Sequence, residues 1–287
     1  MKAKTFVPGH ISCIFRPVRT DNIITTGSLG FGIRLSLGCT ATVWERTDDE
    51  INICINGRRC EASVTRSAIE AMDPGIGLEI RLKHDLPLEQ GFGTSASGTY
   101  AAALCTAELL GMDPMEAARV THSAECSLGG GLGDLLAIAS GFGVPIRERP
   151  GVPGLTGSTS DSGLELDRLS LLIFDEPLLT QSVLSDECVM RKIAEQGDLA
   201  LRRFKEDPTV GTMFAASNSF SENIGIESSL VKGARTSIRD EGYSAAMCML
   251  GNSIFTDAPS DVLEEMYPEA TVMACRSYAG PIQVSRI

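Results

Sequence analysis

The sequence predicts an α+β fold in which strands and helices are mixed without a strict strand–helix repeat. Two observations indicate this class. Several short segments alternate apolar and polar residues, as in 51–55 and 78–83, which is typical of antiparallel strands with one solvent-exposed face. Other segments have helical composition with recognisable start and stop signals. A doubly wound parallel sheet would instead need nearly continuous apolar strands.

The first ninety residues are predicted to be mainly β-structure. Residues 32–44 (GIRLSLGCTATVW) alternate, as do Ile51, Ile53 and Ile55, and the latter run ends in Asn56-Gly57, a strong hairpin signal. A helix is expected over 64–72, broken by the Asp-Pro-Gly turn that follows it.

The middle of the chain is predicted to be helical. Residues 97–110 form a helix by propensity and end at a glycine. The next helix starts with Asp113 as N-cap and Pro114 at the first position, and Glu116 completes a pattern like a capping box. A glycine-rich loop then leads into a short helix for which Asp134 is a candidate N-cap.

The C-terminal part follows a strand near 145 and a Pro/Gly-rich stretch. Residues 158–163 (STSDSG) are polar and loose, so we expect a boundary near residue 160 that separates domains 1–160 and 161–287. Beyond it the sequence predicts a strand at LSLLIF, helices around 186–206, 210–220 and 227–240, a strand–turn–strand over 243–259, a helix over 261–269 and a last strand over 271–280.

Charge and cysteine usage exclude several classes of function. The net charge of −12 and the absence of a basic stripe argue against nucleic-acid binding. Nine scattered cysteines without a CxxC pair argue against zinc, and indicate reduced thiols in a cytoplasmic protein. No apolar stretch approaches the ~18 residues that a membrane span needs.

The glycine loop EQGFGTSASGTY, residues 89–100, has three possible interpretations. A Walker P-loop requires Lys-Ser/Thr, but Thr99-Tyr100 stands there. A dinucleotide fingerprint would match Gly91, Gly93 and Ala96, but it should follow a buried parallel strand. The third interpretation is a loop and helix N-terminus that hold a nucleotide's phosphates without a lysine.

Four motifs, in order, resemble those of the GHMP small-molecule kinases. Pro87-x3-Gly91-Phe92-Gly93-Thr94-Ser95-Ala96 is similar to the family's P-x3-G-L-G-S-S-A. Residues 121–134 (THSAECSLGGGLGD) resemble its helix with a metal-binding Glu and its glycine loop with a catalytic Asp. Residues 7–15 resemble the first motif, with His10 where many members have Lys, and 250–255 are a reduced third motif. The combination is most similar to the archaeal pantoate kinase branch.

The resemblance implies two α+β domains around a cleft, the first like a ribosomal-protein domain and the second ferredoxin-like. It implies ATP and Mg²⁺ as cofactors and transfer of a phosphoryl group to the primary hydroxyl of (R)-pantoate, giving 4-phosphopantoate for coenzyme A biosynthesis. A homodimer is expected on the same ground. The alternatives are another small alcohol as acceptor, such as homoserine or a mevalonate-like compound, or a silent protein of this fold that senses a small molecule.

The resemblance also assigns roles to particular residues. Asp134 orients or deprotonates the acceptor, and Ser95 and Glu125 hold the metal; all three are candidate catalytic residues. Glu125 shares a helical face with small residues, which suits a carboxylate ligand of Mg²⁺. The predicted nucleotide-binding residues are Gly91, Phe92, Gly93, Thr94, Ser95, Ala96, Ser97 and Gly98.

An anionic acceptor also needs cations or hydrogen-bond donors. Arg147, His122 and Ser28 are the candidates for binding it, Arg147 because a guanidinium pairs bidentately with a carboxylate. The sequence leaves the role of His10 open between structural support and assistance near the phosphate.

Overall fold

The computed structural model describes residues 1–175 and 187–287. In these residues the strands form two sheets, one of eight strands and one of four. The predicted α+β class is confirmed, because all twelve strands of the described residues have an antiparallel partner and only β3 and β5 also pair in parallel. In the described part of the chain, no helix has the length and apolarity required to cross a bilayer.

The larger sheet has the order β12-β1-β2-β5-β3-β4, with β6 paired to β2 and β7 paired to β6. Its strands are β1 (Lys2–Val18), β2 (Gly27–Glu45), β3 (Ile51–Ile55), β4 (Arg58–Arg59), β5 (Leu78–His84), β6 (Pro145–Arg149), β7 (Ser158–Asp161) and β12 (Val284–Arg286). The two long strands β1 and β2 form an antiparallel ribbon with two irregularities, one of them at Pro8–His10. We refer to the elements around this sheet as the first half of the molecule and to those around the second sheet as the second half. The hydrophobic cores of both halves include residues of this ribbon.

Helices α1 (Ser63–Glu70), α2 (Thr94–Leu110), α3 (Pro114–Ser127) and the short α4 (Asp134–Ile138) belong to this first half. Alanines at the buried positions of α2 let this helix pack closely on the sheet, near Val43 and Ile80, and those of α3 let it pack against α2 and α1. Helix α2 begins at Thr94, three residues before the predicted start, because Gly93 in the left-handed region provides the turn into it.

The second sheet has the order β11-β8-β10-β9. It comprises β8 (Leu169–Ile173), β9 (Ala245–Met247), β10 (Ser253–Thr256) and β11 (Thr271–Cys275). The helices α6 (Val210–Ile224), α7 (Ser229–Asp240) and α8 (Ser260–Met266) pack on its strands, while α5 (Glu187–Glu206) packs on α6 and on β1. Residue 186 of the predicted helix 186–206 lies outside the described residues. Phe204 of α5 stacks on Phe31 of β2, so the second half is anchored on the long ribbon.

Three local predictions meet different outcomes. The hairpin at Asn56-Gly57 is confirmed, with φ of 48° and 80°. The Asp113 cap is confirmed, since its carboxylate accepts from the Met115 N–H at 2.9 Å. The capping box is wrong, because the Glu116 carboxylate accepts from the Arg119 guanidinium instead.

The loose segment predicted at 158–163 is also partly wrong. Its first four residues form β7, which pairs with β6 and thereby satisfies its backbone groups. The C-terminal strand β12 returns to the first sheet and pairs with β1. A domain boundary near residue 160 stays a prediction.

Candidate active site

A cavity of about 720 Å³ lies between the two halves. The glycine loop before α2 forms one side, and the glycine loop between α3 and α4 forms another. The segment after β9, with Met249 and Leu250, and Met190 of α5 contribute from the second half. Every predicted motif therefore contributes residues to the wall of one cavity, the first of them through Ser12 and Phe15.

The loop before α2 has the conformation that its glycines require. Gly91 and Gly93 have φ of +80° and +60°, in the left-handed region that favours glycine. A Cβ on Gly91 would lie 2.9 Å from the Met249 carbonyl oxygen. The loop then enters α2, whose first N–H groups have no partner within the helix and whose dipole favours an anion.

Seven of the eight predicted nucleotide-binding residues line the cavity. The exception is Ser97, whose buried hydroxyl donates to the Thr94 carbonyl at 3.2 Å. Strand β5, which precedes the loop, pairs antiparallel with β2 and parallel with β3, so it does not belong to the mostly parallel sheet that carries a dinucleotide fingerprint.

Ser95 and Glu125 form the first polar pair in this cavity. The Ser95 hydroxyl donates to Oε1 of Glu125 at 2.6 Å, and the Gly131 N–H donates to Oε2 at 2.9 Å. Glu125 is only 1% exposed. Burial raises its pKa to about 7, with the negative charge of Asp134 adding to the rise and the two hydrogen bonds opposing it. The carboxylate thus lies in a setting that lacks a compensating cation.

Asp134 and His10 form the second pair. Oδ1 of Asp134 lies 2.7 Å from Nδ1 of His10. Burial alone would raise the pKa of Asp134, but the His10 hydrogen bond and the charge of Arg147 hold it below its usual value. Burial lowers the pKa of His10. A neutral His10 therefore donates its Nδ1–H to an ionised Asp134.

Asp134 is the first residue of α4 and Gly133 occupies the N-cap position. The alternative role of Asp134 as the N-cap is therefore wrong, because its side chain is directed to His10. The irregularity at Pro8–His10 and a hydrogen bond from the His10 N–H to the Phe92 carbonyl (2.9 Å) fix the histidine beside the phosphate loop.

The second glycine loop has no room for side chains. A Cβ on Gly130 would lie 2.1 Å from Oε2 of Glu125, and one on Gly131 would lie 2.0 Å from Oδ2 of Asp134. These glycines allow the loop backbone to lie directly over both carboxylates.

The three predicted acceptor-binding residues occupy different depths. Ser28 lines the cavity, next to Gly133. His122 and Arg147 are buried and do not form part of the wall. His122 donates from Nε2 to the Ile23 carbonyl at 2.9 Å.

Arg147 lies fully buried behind Gly133. Its NH2 group donates to the carbonyls of Ile14 (3.1 Å) and Leu29 (3.4 Å), while its Nε has no partner among the described residues. Burial lowers its pKa to about 10. Its positive charge contributes to lowering the pKa of Asp134.

Sequence reasoning missed two residues at this site. Gln90 is buried at the start of the phosphate loop, where its Nε2 donates to the Phe174 carbonyl (2.8 Å) and its Oε1 accepts from the Asn252 N–H (3.1 Å). Arg19 lines the cavity near the end of β1. Gln90 occupies an unspecified position of the Pro87-x3-Gly91 motif and Arg19 lies outside every motif, so only the folded arrangement reveals them.

The comparisons with known proteins agree with this geometry. Residues 62–142, which carry both glycine loops, match the family described as GHMP kinases N terminal domain. The fold is that of a homoserine kinase from Cytophaga hutchinsonii, with a TM-score of 0.66 at 14% identity over 99% of this chain and 97% of that one. A solved structure titled phosphotransferase related to CoA biosynthesis pathway has a TM-score of 0.89 at 26% identity, over 100% of this chain and 99% of that one.

Two relatives specify the branch of the family. The pantoate kinase of Thermococcus kodakarensis is 31% identical over 89% of this chain and 87% of its own length. The pantoate kinase of Methanocaldococcus jannaschii is 25% identical over 91% of this chain and 94% of its own length. The chain belongs to the pantoate kinase family of GHMP kinases.

Proposed function

We propose that this protein transfers the γ-phosphoryl group of ATP to the primary hydroxyl of (R)-pantoate, giving 4-phosphopantoate for coenzyme A biosynthesis. The observation that carries the proposal is the pair of carboxylates in one cavity. Glu125 is buried without a cation, and Asp134 is held ionised by a neutral His10. Phosphoryl transfer needs positioning and charge neutralisation more than covalent chemistry, and these groups serve both.

The nucleotide's phosphates are placed on the loop Gly91–Gly98 and the N-terminus of α2. Backbone N–H groups there replace the lysine of a Walker loop. We place the base farther along the cavity, against apolar wall residues that include Ile55, Val64 and Leu82.

Ser95 and Glu125 fit a magnesium ion. Mg²⁺ prefers oxygen ligands and commonly binds through one or two carboxylates, with phosphate oxygens and waters completing its shell. No group of three or more His, Cys, Asp or Glu side chains suited to a metal occurs in the part of the chain that the structure describes, so those other ligands are needed. A bound Mg²⁺ would neutralise charge on the transferring phosphoryl group.

Asp134 is the group that would accept a hydrogen bond, and then the proton, from the acceptor hydroxyl. The His10 Nδ1–H fixes one carboxylate oxygen, which leaves Oδ2 under Gly131 and toward the cavity. Ser28 would donate to the acceptor from the wall. We propose that Arg147 and His122 assist acceptor binding without touching the cavity wall. Arg147 acts through its positive charge, and His122 anchors α3 to the segment Ile23–Thr25.

The proposal also covers the wider setting of the enzyme. We place it in the cytoplasm, where its substrates are formed, and expect a homodimer. Light scattering after size-exclusion chromatography measures the second point, and a monomer at micromolar concentration would contradict it.

The deciding experiment offers the purified protein ATP and Mg²⁺ with pantoate, homoserine or mevalonate. Of the three acceptors, we expect only pantoate to cause ADP release. Its product should show a phosphomonoester on the primary hydroxyl in ³¹P NMR and mass spectra. Preferred turnover of another alcohol would overturn the assigned acceptor. Tight binding of a small molecule with no ATP consumption for any acceptor would indicate a sensor instead.

A further inference from the structure

The cavity in which we place the acceptor, beside Ser28 and Asp134, has one cationic side chain on its wall. Among the described lining residues, Arg19 is the only arginine or lysine. The same wall carries the carboxylates Glu89, Glu125 and Asp134. An anionic acceptor that approaches Asp134 therefore meets negative charge, and needs a cation within reach of its carboxylate.

Strand register places Arg19 beside Ser28. In the β1–β2 ribbon, Pro17 lies opposite Ser28 and Val18 opposite Gly27. Because side chains alternate along an extended chain, Pro17 and Arg19 point to the same side as Ser28. All three line the cavity. Leu132 and Gly133, which precede Asp134 in the chain, lie against Gly27 and Ser28.

The backbone that carries Arg19 is held in place. The Thr20 N–H donates to Oγ1 of Thr26 at 3.1 Å, and that hydroxyl lies 3.2 Å from the Thr20 carbonyl. Asn22 caps the short helical turn Ile23–Thr25 that joins these threonines. The turn fixes where the side chain leaves the backbone, while the guanidinium itself stays exposed.

The guanidinium of Arg19 is available to a ligand. None of the carboxylates in residues 1–175 and 187–287 forms an ion pair with it. By contrast, the NH2 group of Arg147 is occupied by backbone carbonyls in the protein interior.

We propose that Arg19 binds the carboxylate of the acceptor at the mouth of the cavity and so selects hydroxy acids over neutral alcohols. This inference rests on the proposed function. An arginine fork matches a carboxylate bidentately. With the carboxylate held at Arg19, the other end of a short hydroxy acid is directed toward Asp134.

The test compares Arg19→Gln and Arg19→Lys with the wild-type enzyme. Arg276→Gln is the matched control, because Arg276 is exposed, lies outside the cavity wall and removes the same charge. Steady-state kinetics are measured with pantoate and with its neutral carboxamide at saturating ATP. Losing a charge-assisted hydrogen-bond pair should raise the KM for pantoate roughly 10- to 100-fold in Arg19→Gln, and less in Arg19→Lys.

Three results are expected together. The KM for ATP stays within about threefold, as does every constant of the control, and the KM for the carboxamide does not respond to Arg19→Gln. An unchanged KM for pantoate in Arg19→Gln would overturn the inference, and so would an equal loss for pantoate and carboxamide. Failure of the wild-type enzyme to phosphorylate pantoate would instead refute the proposed function, which separates the two failures.

Discussion

Replacing Glu125 by glutamine should make the metal-free protein more stable above pH 7 while abolishing its kinase activity. Glu125 is buried, and burial raises its pKa from the ordinary 4.5 to about 7. The folded state therefore binds more protons than the unfolded state between these values, so its stability falls as the pH rises through that window. A neutral amide does not titrate and escapes this loss.

The size of the effect follows from the change in pKa. Each pKa unit corresponds to about 1.4 kcal/mol, so the change from 4.5 to about 7 corresponds to about 3 kcal/mol at pH 8. The amide can keep both hydrogen bonds, since its oxygen can accept from the Gly131 N–H and its NH₂ can donate to the Ser95 hydroxyl. In a domain of this size, 3 kcal/mol corresponds to roughly 5–10 °C in Tm.

Urea unfolding in EDTA at pH 4, 6 and 8 measures this difference. Glu125→Gln should gain over the wild type as the pH rises, and the gain should vanish at pH 4. Added Mg²⁺ and ATP should stabilise the wild type at pH 8 but not the variant. Glu165→Gln, at an exposed position, is the control and should match the wild type throughout. A pH-independent difference, or a variant that is less stable at pH 8, would refute the reasoning.

Three further substitutions examine the remaining parts of the site. Asp134→Asn should lower kcat by about 10²- to 10⁴-fold, the usual contribution of a general base, with the Kd for ATP by calorimetry nearly unchanged; retained turnover would exclude its proposed role. His10→Asn, which can still donate to Asp134, should keep more kcat than His10→Ala, and equal losses would show that this hydrogen bond does not matter. Gly131→Ala should eliminate activity through a clash with Asp134, whereas Gly233→Ala, which has open space in α7, should keep full activity and at most gain about 1 kcal/mol in the free energy of unfolding.

Short-range chemistry made much of this fold predictable. The Asn56-Gly57 hairpin and the Asp113 cap are set by residues within one turn, and both are confirmed. The capping box failed because Glu116 had a competing partner, Arg119, one helical turn away. Strand β7 was missed because its polar sequence is stabilised by pairing with β6, which no local pattern reports.

The site itself was predictable only in part. Ser95 and Glu125 belong to recognisable motifs, and the structure brings them within 2.6 Å of each other. The partner of Asp134 was not assigned, because His10 is 124 residues away and meets it only through the fold. The burial of Arg147 was not predictable either. The sequence gives the charge of an arginine, but it does not show that backbone carbonyls accept the hydrogen bonds of its guanidinium.

The hydrogen bonds of Gln90 connect the glycine loop before α2 to the second half of the molecule. Its side chain bonds to Phe174 and Asn252, and its carbonyl accepts from the Ser253 hydroxyl at 2.7 Å. A ligand that stabilises this loop therefore also stabilises the contacts between the two halves. By thermodynamic linkage, weakening those contacts lowers the affinity for that ligand. If the nucleotide binds as proposed, substitutions that weaken these hydrogen bonds should lower its affinity, even where they lie far from the nucleotide.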